Sequence, residues 1–166
     1  INLAYLDPEI NCPASTISDQ MIVSDFKDEK AIIELAKKSD VLTYEIELAN
    51  SSVLKGLESR GYVVHPASQV LYTIQNKIRQ KKFLRDNRIP VPDFEEVISI
   101  EQAKKICKEF CYPLVLKACE DSYDGRGNFL IKSPSDIEKG IQYFKGRSCM
   151  IEKFIHFSRE ISVMVA

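Results

Sequence analysis

LVLKACEDSYDGRGNF, residues 114–129, contains an apolar strand with a lysine near its end, then a loop with two glycines, then the start of a second strand. Gly125 and Gly127 permit tight turns that bring backbone N–H groups against a phosphate, and Lys117 supplies a matching point charge. The stretch lacks Gly-Lys-Ser/Thr and is followed by a strand, so it is neither a Walker loop nor a dinucleotide fingerprint. Alone, it favours an ordinary hairpin with a solvated loop, since lone Gly-x-Gly patterns are common.

Strands and helices are predicted on both sides of this stretch. Downstream of residue 93 we expect strands over 96–98, 114–118, 128–132, 149–154 and 161–165, with helices over 100–110 and 134–143. Ile89-Pro90-Val91-Pro92 is an extended linker, because proline excludes helix at itself and at the residue before it. Upstream of this linker, residues 68–87 predict one long helix with Leu71, Ile74, Ile78 and Leu84 inward and its basic residues outward.

The first 66 residues alternate short apolar strands with helices. Strands are predicted over 1–6, 20–23, 40–45 and 62–65, and helices over 28–38 and from 51 or 52 to 58. Asp28 and Ser51 or Ser52 are suitable helix caps, and Gly61 ends the second helix. This alternation predicts a parallel, doubly wound α/β sheet.

Two further clusters carry polar side chains at strand ends. Glu45 and Glu47 follow a predicted parallel strand, at the sheet edge where ligands bind in open α/β folds; either one alone is equally typical of a surface turn. In residues 150–163 a strand runs into a connector, and Glu160 opens the next strand. Such a connector can offer backbone groups to a purine ring and Glu160 can accept from ribose hydroxyls, although a plain hairpin has the same pattern.

Composition excludes several classes of protein. The chain has 166 residues, 45% of them hydrophobic and 28% charged, with a formal net charge of −1. These values suit a soluble globular protein rather than a disordered tail or a highly basic nucleic-acid binder. Its apolar runs are too short to span a bilayer, and its first twenty residues lack a signal-peptide pattern. The five cysteines predict reduced thiols in the cytoplasm, and the basic segment 75–82 is only a weak nucleic-acid signal.

Taken in their order, the motifs resemble those of the ATP-grasp ligases, and within them the N5-carboxyaminoimidazole ribonucleotide synthase family of purine biosynthesis. The resemblance covers essentially the whole chain and rests on five groups of residues: 6–8 with 12–14, 40–47, 74–77 with 80–81, 123–127, and 157–162. It implies an incomplete doubly wound parallel sheet (the pre-ATP-grasp domain) over 1–67, a connecting helix and linker over 68–92, and the first part of an ATP-grasp domain over 93–166.

The resemblance also implies a reaction. ATP phosphorylates bicarbonate to carboxyphosphate, and the amine of 5-aminoimidazole ribonucleotide then captures the carboxyl group. The residues that would act are, for the ATP phosphates, Lys77, Lys117 and the loop Ser122, Tyr123, Asp124, Gly125, Arg126, Gly127 and Asn128; for adenine, Glu152, Lys153, Phe154 and Ile155; for ribose, Glu160; for the aminoimidazole substrate, Glu45, Tyr123 and Asp124; and as catalytic residues, Tyr123, Asp124 and Arg126.

The sequence differs from the family at two of these positions: Lys77 stands where arginine is usual, and Ser122 where the loop usually begins with glycine. We expect the chain to be a segment of a longer, cytoplasmic, homodimeric ligase that binds small molecules and neither nucleic acid nor membrane. The acidic ligands of its Mg²⁺ are expected beyond residue 166. Two alternatives stay open: another ATP-grasp carboxylate–amine ligase, such as a formate-dependent purine transformylase, and a non-catalytic nucleotide-binding module.

Overall fold

The computed structural model describes residues 2–18, 20–120 and 127–163. The chain divides into a first unit, residues 1–80, and a second unit, residues 81–166. Each unit has its own buried apolar cluster.

Parallel strand pairs and helices alternate in the first unit, as the sequence predicts. Its elements are β1 (Tyr5–Asp7), a 3-10 helix (Pro13–Thr16), β2 (Met21–Val23), α1 (Glu29–Lys37), β3 (Val41–Leu42), α2 (Ser51–Glu58), β4 (Val63–Val64) and α3 (Ser68–Ile74). β1 pairs with β2 and β3 pairs with β4, both in parallel. The core consists of Ile32, Ala36, Leu42, Leu54, Leu57, Val64 and Leu71.

The single long helix predicted over residues 68–87 is wrong: the structure has two helices there. α3 ends at Ile74, and α4 (Lys77–Asp86) begins two residues after Gln75. The Asn76 side chain accepts hydrogen bonds from the backbone N–H groups of Ile78 and Arg79, at 3.0 Å each. An asparagine that satisfies the free donors of a new helix in this way starts that helix, so α3 does not continue. The division between the two units falls within α4.

In the second unit, helices cover one face of an antiparallel sheet. Its strands and helices are β5 (Phe94–Val97), α5 (Ile100–Phe110), β6 (Leu114–Ala118), β7 (Asn128–Ile131), α6 (Asp136–Tyr143) and β8 (Cys149–Lys153). The strand order is β5-β8-β6-β7. Leu114, Leu116 and Ala118 pack into a cluster with side chains of α5 and α6. Because side chains alternate along a strand, Val115 and Lys117 lie on the sheet face away from this cluster.

The strand predicted over residues 161–165 is also wrong for the residues that the structure describes. Ile161, Ser162 and Val163 are exposed and outside any strand, and Met164 and Val165 lie outside the described residues. Glu160 therefore precedes irregular chain rather than opening a strand. A strand is stable only where a neighbour accepts its hydrogen bonds, and within residues 2–18, 20–120 and 127–163 none pairs with this segment.

The five cysteines are free thiols, and all but Cys111 are buried. Burial, with a smaller contribution from Cys119, raises the pKa of Cys149 to about 11, so its side chain stays a protonated thiol at neutral pH. Within the part of the chain that the structure describes, every helix is too short or too polar to cross a bilayer.

Candidate functional site

Lys117 and Glu152 meet on the sheet face away from α5 and α6. Glu152 on β8 lies opposite Val115 in the ladder, and Lys117 follows two residues later on the same strand. Residues related in this way are diagonal neighbours on one face, within reach of long side chains. The Nζ of Lys117 contacts Oε1 of Glu152 in an ion pair.

A second lysine completes this site. Nζ of Lys81, in α4, lies 2.6 Å from Oε2 of Glu152. We call Lys81, Lys117 and Glu152 the lysine–glutamate cluster. The Glu152 side chain is 7% exposed, against 15% for Lys81 and 23% for Lys117. Among the described residues Glu152 is the single charged residue that is buried.

The cluster has an excess of positive charge. Two ammonium groups face one carboxylate, and buried charges of this kind are retained only where they are paired. Oε2 of Glu152 is close to Lys81 but receives no hydrogen bond within the described part of the chain. Lys117 has the more exposed side chain of the two lysines. Its ammonium group can therefore contact an anion, such as a phosphate, while Lys81 stays paired with Glu152.

The aromatic ring of Phe94 lies close to the ammonium group of Lys81. Phe94 on β5 lies opposite Glu152 in the ladder. Nζ of Lys81 is 5.8 Å from the centre of that ring, and the guanidinium of Arg85, one helical turn later, is 5.2 Å from it. Both distances suit a cation over an aromatic face. α4 thus brings Lys81 over the same sheet face from which Glu152 projects.

The predicted phosphate loop joins β6 to β7 directly after Lys117. At its ends, Ala118 N–H donates to the Gly127 carbonyl at 2.9 Å and Cys119 N–H donates to the Ser148 carbonyl at 2.8 Å. Gly127 is buried and Asn128, opposite Lys117 in the ladder, is exposed. The remaining loop residues predicted for the site lie outside the described residues: Ser122, Tyr123, Asp124, Gly125 and Arg126.

The residues predicted to hold adenine and ribose do not all face the cluster. Lys153 follows Glu152 on β8 but points to the opposite face, where its Nζ lies 2.7 Å from the Asp93 carboxylate. The ring of Phe154 packs edge-on against His156, with 5.1 Å between ring centres. Ile155 and Glu160 are exposed. Among the residues predicted to hold adenine and ribose, Glu152 is therefore the one whose side chain the structure places against Lys117.

The other predicted site residues, Glu45 and Lys77, belong to the first unit. Glu45 is exposed just after β3. The turn that carries it is held by Gln75, whose Nε2 donates to the carbonyls of Glu47 and Ala49 at 2.8 and 2.7 Å. Lys77 is half-buried and is the first residue of α4. The Gln75–Lys77 segment thus orders the acidic turn and begins the helix that carries Lys81.

Sequence reasoning missed Lys81. The basic side chains of segment 75–82 were expected to point outward, yet the Lys81 side chain lies against a buried glutamate. Spacing carries a signal for this position, since Lys81 lies three residues after the buried Ile78, on the same face of α4. Nothing local identifies its partner, because Glu152 lies far along the chain.

The described residues form no group of three His, Cys, Asp or Glu side chains that could hold a metal ion. Two acidic residues of the second unit are instead each paired with a lysine. Asp93 contacts Lys153, and Glu138 contacts Lys104 at 2.7 Å.

Family models match both parts of the chain. Residues 82–166 match the ATP-grasp domain and residues 1–75 match the ribonucleotide synthetase preATP-grasp domain. A curated relative from Schizosaccharomyces pombe, phosphoribosylaminoimidazole carboxylase, is 40% identical over 157 residues, which is 93% of this chain and 28% of that protein.

Solved structures from Aspergillus clavatus are also similar. One, a carboxyaminoimidazole ribonucleotide synthase with ATP, is 36% identical with a TM-score of 0.88, and the match covers 95% of this chain and 42% of that one. Another, an N5-carboxyaminoimidazole synthase with ADP and 5-aminoimidazole ribonucleotide, is 33% identical with a TM-score of 0.84, over 93% of this chain and 40% of that one. The chain thus spans less than half the length of each of these relatives.

Proposed function

The chain belongs to the ATP-grasp family, and we propose that the protein containing it carboxylates 5-aminoimidazole ribonucleotide with bicarbonate at the expense of ATP, in purine biosynthesis. One observation carries the proposal. The chain follows, over 93% of its length, the fold of a solved synthase that holds ADP and 5-aminoimidazole ribonucleotide. Both units of the chain take part in this similarity, since family models match residues 1–75 and 82–166.

The proposed chemistry has two balanced steps. A bicarbonate oxygen attacks the γ-phosphorus of ATP, and the bond between that phosphorus and the oxygen of the β-phosphate breaks. The products are ADP and carboxyphosphate. The amine nitrogen of the acceptor then attacks the carboxyl carbon of carboxyphosphate. The bond from that carbon to the oxygen that bridges to phosphorus breaks, and phosphate leaves with the proton that the amine gives up. Steps of this kind depend on positioning and on cations around the phosphates more than on covalent chemistry by the protein.

The described residues support the first step through charge. In this proposal Lys117 contacts the nucleotide phosphates, because its side chain is the more exposed of the two lysines in a cluster with excess positive charge. Glu152, buried beside it, faces the adenine edge together with the backbone of residues 153–155. Lys77 adds a second cation to the phosphates and Glu160 contacts the ribose.

The acceptor side is assigned to the acidic turn of the first unit. Glu45 orients the aminoimidazole ribonucleotide, and Gln75 fixes the turn that carries it. Tyr123, Asp124 and Arg126 act on the carboxyphosphate and the amine, and Ser122–Asn128 cover the phosphates. The Mg²⁺ that the resemblance implies would neutralise charge on the phosphates, and no step here is routed through it. Homodimer formation and a cytoplasmic location complete the proposal.

The test is a product assay on the full-length protein with ATP, 5-aminoimidazole ribonucleotide and either ¹³C-bicarbonate or ¹³C-formate. We expect ADP release and a labelled carbamate on the amine with bicarbonate, and neither with formate. A formylated product would assign the protein to the purine transformylases instead. Nucleotide binding with no product from either carbon source would indicate a non-catalytic module.

A further inference from the structure

We infer that Lys81 is a positioning residue of the nucleotide site: by holding one oxygen of Glu152, it keeps the charge of Lys117 available to phosphate. The inference rests on the proposed function, which assigns Lys117 to the phosphates. Lys81 itself is given no contact with the nucleotide. Its role is to neutralise part of the Glu152 charge, so that Glu152 neutralises less of the Lys117 charge.

The two oxygens of Glu152 are divided between two lysines. Oε1 is held by Lys117 and Oε2 lies 2.6 Å from Lys81. The Glu152 side chain is 7% exposed, so its charge is compensated by these lysines more than by solvent. The charge of Glu152 is therefore compensated within the cluster.

Removing Lys81 changes the charge balance at Lys117. With both lysines present the cluster carries one surplus positive charge. Without Lys81, the buried carboxylate and Lys117 form a neutral pair, in which Glu152 has Lys117 as its single cation. The electrostatic attraction between Lys117 and an incoming phosphate then falls, because the Glu152 carboxylate neutralises Lys117 alone instead of being shared with Lys81.

The exposed ion pair between Lys104 and Glu138, in the same unit, differs from the Lys81–Glu152 pair in burial. Nζ of Lys104 lies 2.7 Å from the Glu138 carboxylate, almost the separation found for Lys81 and Glu152. However, the Lys104 and Glu138 side chains are 50% and 58% exposed. Water screens such a pair, so its removal changes little beyond the pair itself. Lys104 therefore provides a matched control.

The experiment measures the dissociation constant of tripolyphosphate by calorimetric titration of the full-length protein. Tripolyphosphate carries the phosphate charge without adenine, so contacts between Glu152 and the base do not enter the result. We expect Lys81→Met to weaken binding about tenfold. Lys81→Arg, which keeps the cation, should stay within about threefold of the unchanged protein. The control Lys104→Met should leave the constant unchanged.

The decisive variant is the double change Lys81→Met with Glu152→Gln. A neutral glutamine no longer holds the charge of Lys117, so the double variant should bind tripolyphosphate more tightly than Lys81→Met alone, within about threefold of the unchanged protein. A double variant as weak as the single one would overturn the inference, because Lys81 would then bind phosphate itself or merely support the fold. An unchanged constant in Lys81→Met would overturn it as well.

Failure of the proposed function gives a different result. If Lys117 does not bind phosphate, Lys117→Met will bind tripolyphosphate as well as the unchanged protein does, whatever the Lys81 variants show. If Lys117→Met weakens binding while the Lys81 variants are indifferent, the phosphate assignment stands and the inference about Lys81 fails. Thermal unfolding of each variant identifies any that fails to fold.

Discussion

At the scale of single residues, Glu58 shows how a side chain at the end of one helix starts another. The first residue of α3, Ser68, is 2% exposed, and no side chain at the preceding Ala67 caps the helix. Glu58 supplies the cap: its carboxylate accepts from Ser68 N–H at 2.9 Å and from the Ser68 hydroxyl. These two hydrogen bonds, the hydroxyl first, lower the pKa of Glu58 below its ordinary value of 4.5.

This contact makes the stability of the first unit depend on pH. Because the pKa is lowered in the folded state, the stabilisation is present above the unfolded pKa of 4.5 and is lost as the pH falls through the folded pKa. We expect Glu58→Gln to lower the free energy of unfolding by about 1–2 kcal/mol at pH 7 and by much less near pH 3. Urea unfolding at both pH values measures this difference.

The control is Glu34→Gln, which breaks the exposed Glu34–Lys38 pair of α1 in the same unit. That change should cost under about 0.5 kcal/mol at pH 7. An equal loss for Glu58→Gln at both pH values would show that the ionised carboxylate is not the stabilising group.

At the scale of elements, the two glycines inside helices differ in what surrounds them. A Cβ at Gly140 in α6 would lie 2.9 Å from a Phe129 ring carbon and 3.0 Å from a Leu116 methyl, so the helix packs too closely on β6 and β7 for a side chain. A Cβ at Gly56 in α2 would meet nothing within 4 Å. The same substitution therefore tests packing at one site and helix propensity at the other.

We expect Gly140→Ala to destabilise the second unit by about 1–3 kcal/mol, because Phe129 and Leu116 must shift. Gly56→Ala should stabilise the first unit by about 0.5–1 kcal/mol, since alanine favours helix and nothing opposes it. Thermal or urea unfolding, read from the transition of the unit concerned, gives both values. Stabilisation by Gly140→Ala would contradict the close packing of α6 on the sheet.

Elements with local signals were predicted well from the sequence. α5 and β6 have the predicted bounds, and Asp28 caps α1 as expected. Ser99 caps α5 by accepting from Gln102 N–H, an interaction within one turn of chain. Periodicity is enough to find such elements, but the predicted cap of α2 at Ser51 or Ser52 is wrong. Asn50 caps that helix by accepting from Val53 N–H at 3.3 Å.

The errors arose where one side chain overrides a continuous pattern or where the partner is distant. The helical periodicity of residues 68–87 runs through Gln75 and Asn76 without a break, and the Asn76 cap alone divides it. Lys81 was missed for the second reason, since its inward position is explained by Glu152 on the last strand. The placement of Lys117 beside that glutamate also required the strand order, which periodicity does not give.

The whole molecule contains two units with different sheets. The first has parallel strand pairs and the turn assigned to the acceptor; the second has the antiparallel sheet that carries the lysine–glutamate cluster. Separate cores allow each unit to hold its own set of residues in place. In the proposed reaction the residues of the second unit would bind the phosphoryl donor and those of the first unit the amine, so both sets would be needed.

The central claim is that ATP activates bicarbonate as carboxyphosphate before the amine attacks. The most direct measurement is the transfer of ¹⁸O from labelled bicarbonate to inorganic phosphate by the full-length protein, with ATP and 5-aminoimidazole ribonucleotide present. The oxygen that bridges carbon and phosphorus comes from bicarbonate and leaves with phosphate, so the account predicts one ¹⁸O atom in each phosphate released. Carboxylated product formed with unlabelled phosphate would contradict the account.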